Sequence, residues 1–182
     1  MTTTYAALLR GINVSGHKRV PMADLRTLLS RLGHDHVVTH LQSGNAVFTS
    51  ASDDENAVAR ELEQAIEDRF GFTVDCVVRD GGYLRAVADA CPFPADTLEG
   101  KQLHVTFFSE RVDPERFSSV DRSAYLPEEF RLGDRALYLY APHGLGRSKL
   151  AEALGRPALS KGVTATSRNW NTVVKLVELT RD

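Results

Sequence analysis

Apolar side chains return along this chain with two different periods, and the two kinds of block alternate. Residues 4–9, TYAALL, are apolar nearly throughout, which predicts a central strand. In PMADLRTLLSRLG, Met22, Leu25, Leu28, Leu29 and Leu32 recur at helical spacing, with Pro21 at the first helical position and Gly33 at the end. A helix is expected there. HVVTHL and AVFTS read as short strands joined by Gln42, Ser43, Gly44 and Asn45, residue types that tolerate turn backbone angles, so the pair predicts a hairpin. Ser52 stands three residues before Glu55, the spacing of a capping box, ahead of Val58, Leu62, Ile66 and Phe70, and predicts a helix over about 53–70. FTVDCVV is a strand, and Asp80 to Cys91 reads as a further helix with Tyr83, Leu84, Val87 and Ala88 inward.

Strand, helix, strand, strand, helix, strand is the order of a split β-α-β plait, the ferredoxin-like arrangement, with right-handed crossovers and the third strand between the first two. In that topology the end of the first strand and the turn between the second and third strands share one rim. Arg10–Asn13 and Gln42–Asn45 are therefore expected to be neighbours. Pro92, Pro94 and Gly100 mark residues 92–101 as a linker between a domain at 1–91 and another at 102–182. In the second, QLHVTFFSE is a strand, Asp113-Pro114 begins a short helix, and FRLGDRALYLYA is a hairpin turning at Gly133-Asp134. GRSKLAEALG is a short helix, and TATSRNWNTVVKLVELT closes the chain as a helix capped at Thr166 or Ser167, with Trp170, Val173, Val174 and Val177 on one stripe. The second half thus repeats the first, with a helix in place of the fourth strand. The expected class is α+β, two ferredoxin-like halves related by structural duplication without sequence repetition.

Composition narrows the function classes. With 42% hydrophobic and 25% charged residues over 182 positions, the chain is an ordinary globular one. A net charge of −2 and a pI near 6.3 supply no global positive field, so nucleic-acid packaging is not expected. The two cysteines, Cys76 and Cys91, form no CxxC spacing, which argues against a disulfide framework or zinc ribbon; Cys76 lies on the apolar face of its strand. No charged-then-apolar leader opens the chain, and no apolar run approaches the ~20 residues of a membrane span. The cytoplasm is the expected compartment.

The candidate chemistry is concentrated in a few polar segments. RGINVSGHKRVP, residues 10–21, places Gly11 and Gly16 between a strand and a helix, as a P-loop does. His17 stands where the P-loop lysine belongs, Lys18 is one position late, and Arg19 replaces the magnesium-binding hydroxyl, so nucleotide hydrolysis is not expected. Glycine-rich amides with Arg10, Lys18 and Arg19 can still hold a carboxylate or phosphate; the plainer reading is that Arg10 and Asn13 fasten the loop. His34, His36 and His40 in HDHVVTH lack the spacing and companion ligands of a metal site and are expected to be solvated at a strand edge. In RNWNT, Arg168, Asn169 and Asn171 would crowd the first turn of the last helix, where free amides favour an anion, while Trp170 anchors in the core. GLGRSKL, at 144–150, has a similar look, with a solvated helix start as the favoured reading. His104 and His143 are isolated, and no Ser-His-Asp or Cys-His arrangement is evident.

LLRGINV followed by PMADL, then LQSGNAVF, then TSRNWNTVVKL, resemble the bacterial family known as domain of unknown function 1697, along essentially the whole chain. The resemblance implies a two-part α+β protein of plait-like halves and supplies no chemistry. Family members usually carry Gly-Gly after GINV, whereas this chain has Ser15-Gly16, so a left-handed backbone at position 15 would be strained.

The reading that follows is a polar rim of Arg10, Asn13, Gln42, Ser43 and Asn45, joined by Arg168, Asn169 and Asn171 if the second half folds over it. Arginines and amides suit a small anionic ligand such as a nucleotide or phosphorylated metabolite. Catalysis is left open, because no general base or nucleophile is evident beyond Ser43 and the scattered histidines. No metal is expected, and neither a cofactor nor an oligomeric state is specified. The first alternative is a scaffold or interaction module in which the same residues staple the halves together. Single-stranded nucleic-acid binding ranks last, because it needs exposed aromatics and a basic groove, and the first half offers only Tyr5 and Phe48.

Overall fold

The computed structural model describes residues 1–181. Among them the chain forms a mixed α+β fold with two four-stranded antiparallel sheets and five helices. The first sheet contains β1 (Thr3–Leu9), β2 (Asp35–His40), β3 (Asn45–Ser50) and β4 (Cys76–Asp80), in the order β2-β3-β1-β4, with α1 (Met22–Arg31), α2 (Glu55–Phe70) and α3 (Gly81–Asp89) between and after the strands. The second contains β5 (Leu103–Phe108), β6 (Glu129–Gly133), β7 (Ala136–Tyr140) and β8 (Ala165–Asn169), in the order β6-β7-β5-β8, with α4 (Lys149–Leu154) before β8 and α5 (Trp170–Leu179) after it. Counted from each sheet's own first strand, the two orders are the same. The chain divides into two compact units, one of Met1–Leu84 with the residues from Leu176 on, the other of Arg85–Lys175.

In the first unit, Tyr5, Ala7 and Leu9 of β1 and Phe48 of β3 form one core with Leu25 and Leu29 of α1 and Leu62 and Ile66 of α2. The intervening residues Ala6 and Leu8 are fully buried too. This is why β1, hydrogen-bonded to β3 on one side and β4 on the other, reads as an unbroken apolar run rather than an alternating one. The cap of α2 differs from the expected box. Asp54 accepts from the amides of Asn56 and Ala57 at 3.0 and 3.1 Å, and Ser52 Oγ accepts instead from the Asp54 amide at 3.2 Å. An aspartate directly before the first helical residue serves the unpaired amides better than a serine two positions further out. Gly71, at φ 81°, ends the helix with its amide on Glu67 O.

In the second unit, Phe108, Phe117, Phe130, Leu137, Leu139, Leu150 and Leu159 make the core. Several expectations are corrected there. A fourth strand does exist: β8 runs through Ala165–Asn169 and pairs with β5, Arg168 opposite Val105 and Ser167 opposite Thr106. Arg168 and Asn169 therefore precede the helix rather than forming its first turn, and Val174, expected on the buried stripe of α5, is 47% exposed. The β6–β7 hairpin turns at Asp134 and Arg135, not Gly133-Asp134, because Gly133 still pairs with Ala136 and an added Cβ there would stand 2.8 Å from the Tyr138 ring. The segment after Asp113-Pro114 is one short 3-10 turn, Pro114–Phe117, and residues 92–101 hold the start of two more, Ala95–Thr97 and Gly100–Gln102.

Candidate functional site

The end of β1 and the β2–β3 turn do meet. Leu9 N–H donates to Gly44 O at 2.9 Å, and the side-chain amide of Asn13 donates to Gln42 O at 2.7 Å and to Val20 O at 3.0 Å, while its carbonyl accepts from Val20 N–H at 2.9 Å. One asparagine thus closes the loop 13–20 on itself and docks it against the neighbouring turn. Gly44, at φ 95°, is required at the contact, since a Cβ would lie 2.7 Å from Ile12 Cδ1 and 2.9 Å from Leu9 Cβ. Asn45 is fully buried and donates to His40 O at 2.8 Å and to Ser43 Oγ at 3.4 Å. The amides of Asn13 and Asn45 are thus committed to the framework beneath the rim.

Above that framework stand the side chains of Arg10, Ser15, His17, Arg19, Gln42 and Ser43, all exposed, beside the exposed apolar Val14 and Leu41. Arg10 lies 4.0 Å from the Asp75 carboxylate with both side chains more than half exposed, a contact that solvent screens and that leaves the guanidinium available. Lys18 reaches away, its Nζ donating to Thr73 O at 2.6 Å. The loop itself holds Asn13, Ser15 and Lys18 at φ 56°, 53° and 47°, with Gly11 and Gly16 also left-handed. It carries its basic groups on an unusual backbone.

The remaining candidates lie in the second unit. Arg168 is buried, with Nη1 donating to Thr166 Oγ1 and Ser167 O, both at 2.9 Å; burial lowers its pKa to about 10. Asn169 Oδ1 accepts from Thr172 N–H at 3.0 Å, capping α5 from the last strand residue. Asn171 is exposed and lies against Gly100, where an added Cβ would stand 2.3 Å from its side-chain amide. Trp170, expected as a core anchor, is only half-buried. The basic start of α4 already holds a carboxylate of its own chain: Glu128 Oε2 accepts from Ser148 Oγ at 2.5 Å and from Leu150 N–H at 3.1 Å.

The histidines divide. His36 is exposed, but His34, expected to be solvated, is buried with its ring 4.6 Å from the Phe48 ring and Nε2 3.4 Å from Glu61 Oε1. His104 is buried as well, with Nε2 3.0 Å from Lys101 O, and burial lowers its pKa. Arg79 was invisible to motif reading. It is 1% exposed, 3.4 Å from Glu55 Oε1 and 5.3 Å from the centre of the Tyr83 ring; the available signal was a charge directly after the apolar run CVV, within the strand that Asp80 ends. Cys76 is packed as expected, and burial pushes its thiol well up. Among the described residues no group of three or more His, Cys, Asp or Glu could hold a metal ion, and no helix is long and apolar enough to cross a membrane.

The same fold occurs in a solved structure, that of the conserved bacterial protein SP0830 from Streptococcus pneumoniae, with a TM-score of 0.79 and 23% identity over 100% of both chains. No curated protein matches the chain. The family described as Protein of unknown function (DUF1697) matches residues 1–138, and the chain belongs to it.

Proposed function

We propose that the protein binds a small anionic molecule rich in hydrogen-bonding groups, a nucleotide or a phosphorylated metabolite of the cytoplasm, at the rim of the first unit. The observation that carries this reading is the double anchoring of Asn13 to Val20 and Gln42, which fixes a glycine-containing loop while Arg10, Arg19, Gln42 and Ser43 remain exposed around it. Guanidinium groups on a pre-set backbone recognise phosphate or carboxylate oxygens without the cost of ordering the loop on binding. Asn13 and Asn45 build the rim; Arg10, Gln42 and Ser43 touch the ligand. On this reading Arg168, Asn169 and Asn171 serve the β8–α5 junction of their own unit. The matching strand orders support a further reading, that the two halves are ferredoxin-like plaits related by duplication.

A thermal-shift screen of nucleotides and phosphorylated metabolites tests the site. At least one of them is expected to raise the melting temperature of the wild type and to leave Arg10→Ala unmoved, with the unliganded variant melting where the wild type does. The rival reading, a scaffold module held by polar staples, draws on the inward bonds of Asn13, Asn45 and Arg168. It predicts no response to any ligand and a strongly lowered melting temperature for Arg10→Ala. Single-stranded nucleic-acid binding has no comparable support, because Tyr5 and Phe48 are buried and cannot stack on bases.

A further inference from the structure

The second unit contains a cavity of about 380 Å³ between the segment that follows β5 and the β6–β7 turn. Its apolar wall is formed by Phe108, Val112 and Leu132. Its polar wall is formed by Arg111, Asp134 and Arg135, two guanidinium groups and one carboxylate. Arg135 Nε is 3.6 Å from Asp134 Oδ1, and its side chain is 27% exposed, so the carboxylate is shared with the partly buried arginine. Arg111, by contrast, is exposed and makes neither ion pair nor hydrogen bond among the described residues.

The backbone adds an independent observation. Arg135 sits at φ 50°, a left-handed conformation that glycine or asparagine adopts at little cost and that an arginine adopts under strain. A hairpin needing only a turn would be better served by glycine. The arginine is held there with its side chain lining the cavity, a form of local strain that functional sites accumulate.

We propose that this cavity is a binding site for a small organic acid with an aromatic or branched apolar body, its carboxylate paired with Arg111 and Arg135 and its body against Phe108, Val112 and Leu132. The volume lies in the range of small-ligand pockets, and the division into an apolar wall with a few charged groups is what such pockets show. Two guanidinium groups can engage a carboxylate from both sides, and the apolar wall distinguishes this acid from inorganic phosphate. The site is separate in sequence and chemistry from the rim of the first unit, and neither reading depends on the other.

The test is a calorimetric titration of the full chain with 2-naphthoate, its neutral carboxamide and inorganic phosphate. Saturable one-site binding of 2-naphthoate is expected, weakened about tenfold or more by Arg111→Ala and by Arg135→Gly, and about tenfold or more in the carboxamide, the usual effect of losing one charge-assisted hydrogen bond. Arg135→Gly is also expected to keep or raise the melting temperature, because it relieves the turn, so lost binding cannot be attributed to unfolding. Absence of saturable 2-naphthoate binding overturns the proposal, as do equal affinities for acid and carboxamide. Phosphate binding as tightly as 2-naphthoate overturns it too, since the apolar wall would then contribute nothing.

Discussion

Asn13, Ser15 and Lys18 place three left-handed side-chain-bearing residues within six positions of one loop. Asn13 has compensation in its hydrogen bonds to Val20 and Gln42, and Lys18 in its bond to Thr73; Ser15 is exposed. An L-residue in this region costs about 1–2 kcal/mol. Ser15→Gly is therefore expected to stabilise the protein, and because glycine also enlarges the freedom of the unfolded chain, the net gain is about 0.5–1 kcal/mol. Urea unfolding at neutral pH measures it, and an unchanged or lower midpoint would show that Ser15 contributes something glycine lacks. The strain was expected from the family resemblance, in which Gly-Gly usually stands where this chain has Ser15-Gly16. That Asn13 fastens the loop was the plainer of two readings the sequence left open, and its bonds to Val20 and Gln42 agree with it; the inward orientation of Asn45 was not legible. Residue type shows that an amide suits a turn, but only the positions of the Val20, Gln42 and His40 carbonyls determine whether it faces the ligand or the framework.

At the scale of elements, periodicity located α1, α2 and the strands of the first sheet and failed at β8. TATSRN carries too few apolar residues to show alternation, and it runs directly into the helical period of α5 with no Gly or Pro to mark the change. What makes it a strand is pairing with β5, including the 2.6 Å contact between the hydroxyls of Thr106 and Ser167, which is a tertiary fact. His34 is a second junction that local sequence could not resolve. It precedes β2, yet its ring is covered by Phe48 of β3 and approached by Glu61 of α2, with Asp35 beside it. Burial lowers its pKa, and this outweighs the two carboxylates, which raise it, because Glu61 is itself half-exposed and screened. The sign follows directly: above the ordinary value of 6.5 the ring is neutral in both states, whereas below it the unfolded chain takes up the proton before the folded one does. Stability is therefore lost as the pH falls from 6.5 toward the depressed folded value, and the loss levels off beneath that value. His34→Leu is expected to flatten this part of the profile, leaving the slope due to buried His104, which shifts the same way. Urea midpoints measured at half-unit steps between pH 8 and pH 5 compare the two, and an identical slope in the variant would place the titration elsewhere.

At the scale of the whole molecule, the order of the first sheet, with β3 between β1 and β2, matches the one expected from the succession of elements, whereas that of the second sheet could not be read without β8. A linear reading puts a first domain at 1–91, whereas the compact unit joins Met1–Leu84 to the residues from Leu176 on. The reason is packing between residues far apart in sequence: Thr180 and Leu176 are buried, Thr180 Oγ1 donates to Leu176 O at 2.7 Å, and the Thr180 carbonyl lies so near Gly81 that an added Cβ would stand 2.6 Å from it. Gly81 opens α3 directly after β4, so Thr180 bears on the start of that helix at a point where no side chain fits. Two variants follow from this. Gly81→Ala drives a methyl into the Thr180 carbonyl and is expected to cost about 1–3 kcal/mol, the range for overpacking a close contact. A stop codon after Lys175 removes the buried Leu176, Val177 and Thr180 and is expected to cost more. In both, amide exchange should accelerate across β1 and β4 of the first sheet, while Arg181→Ala, at an exposed position, leaves it unchanged. Exchange in β1 and β4 that stays slow after the truncation would mean that the first unit holds together without its C-terminal residues, and that the linear boundary was the physical one.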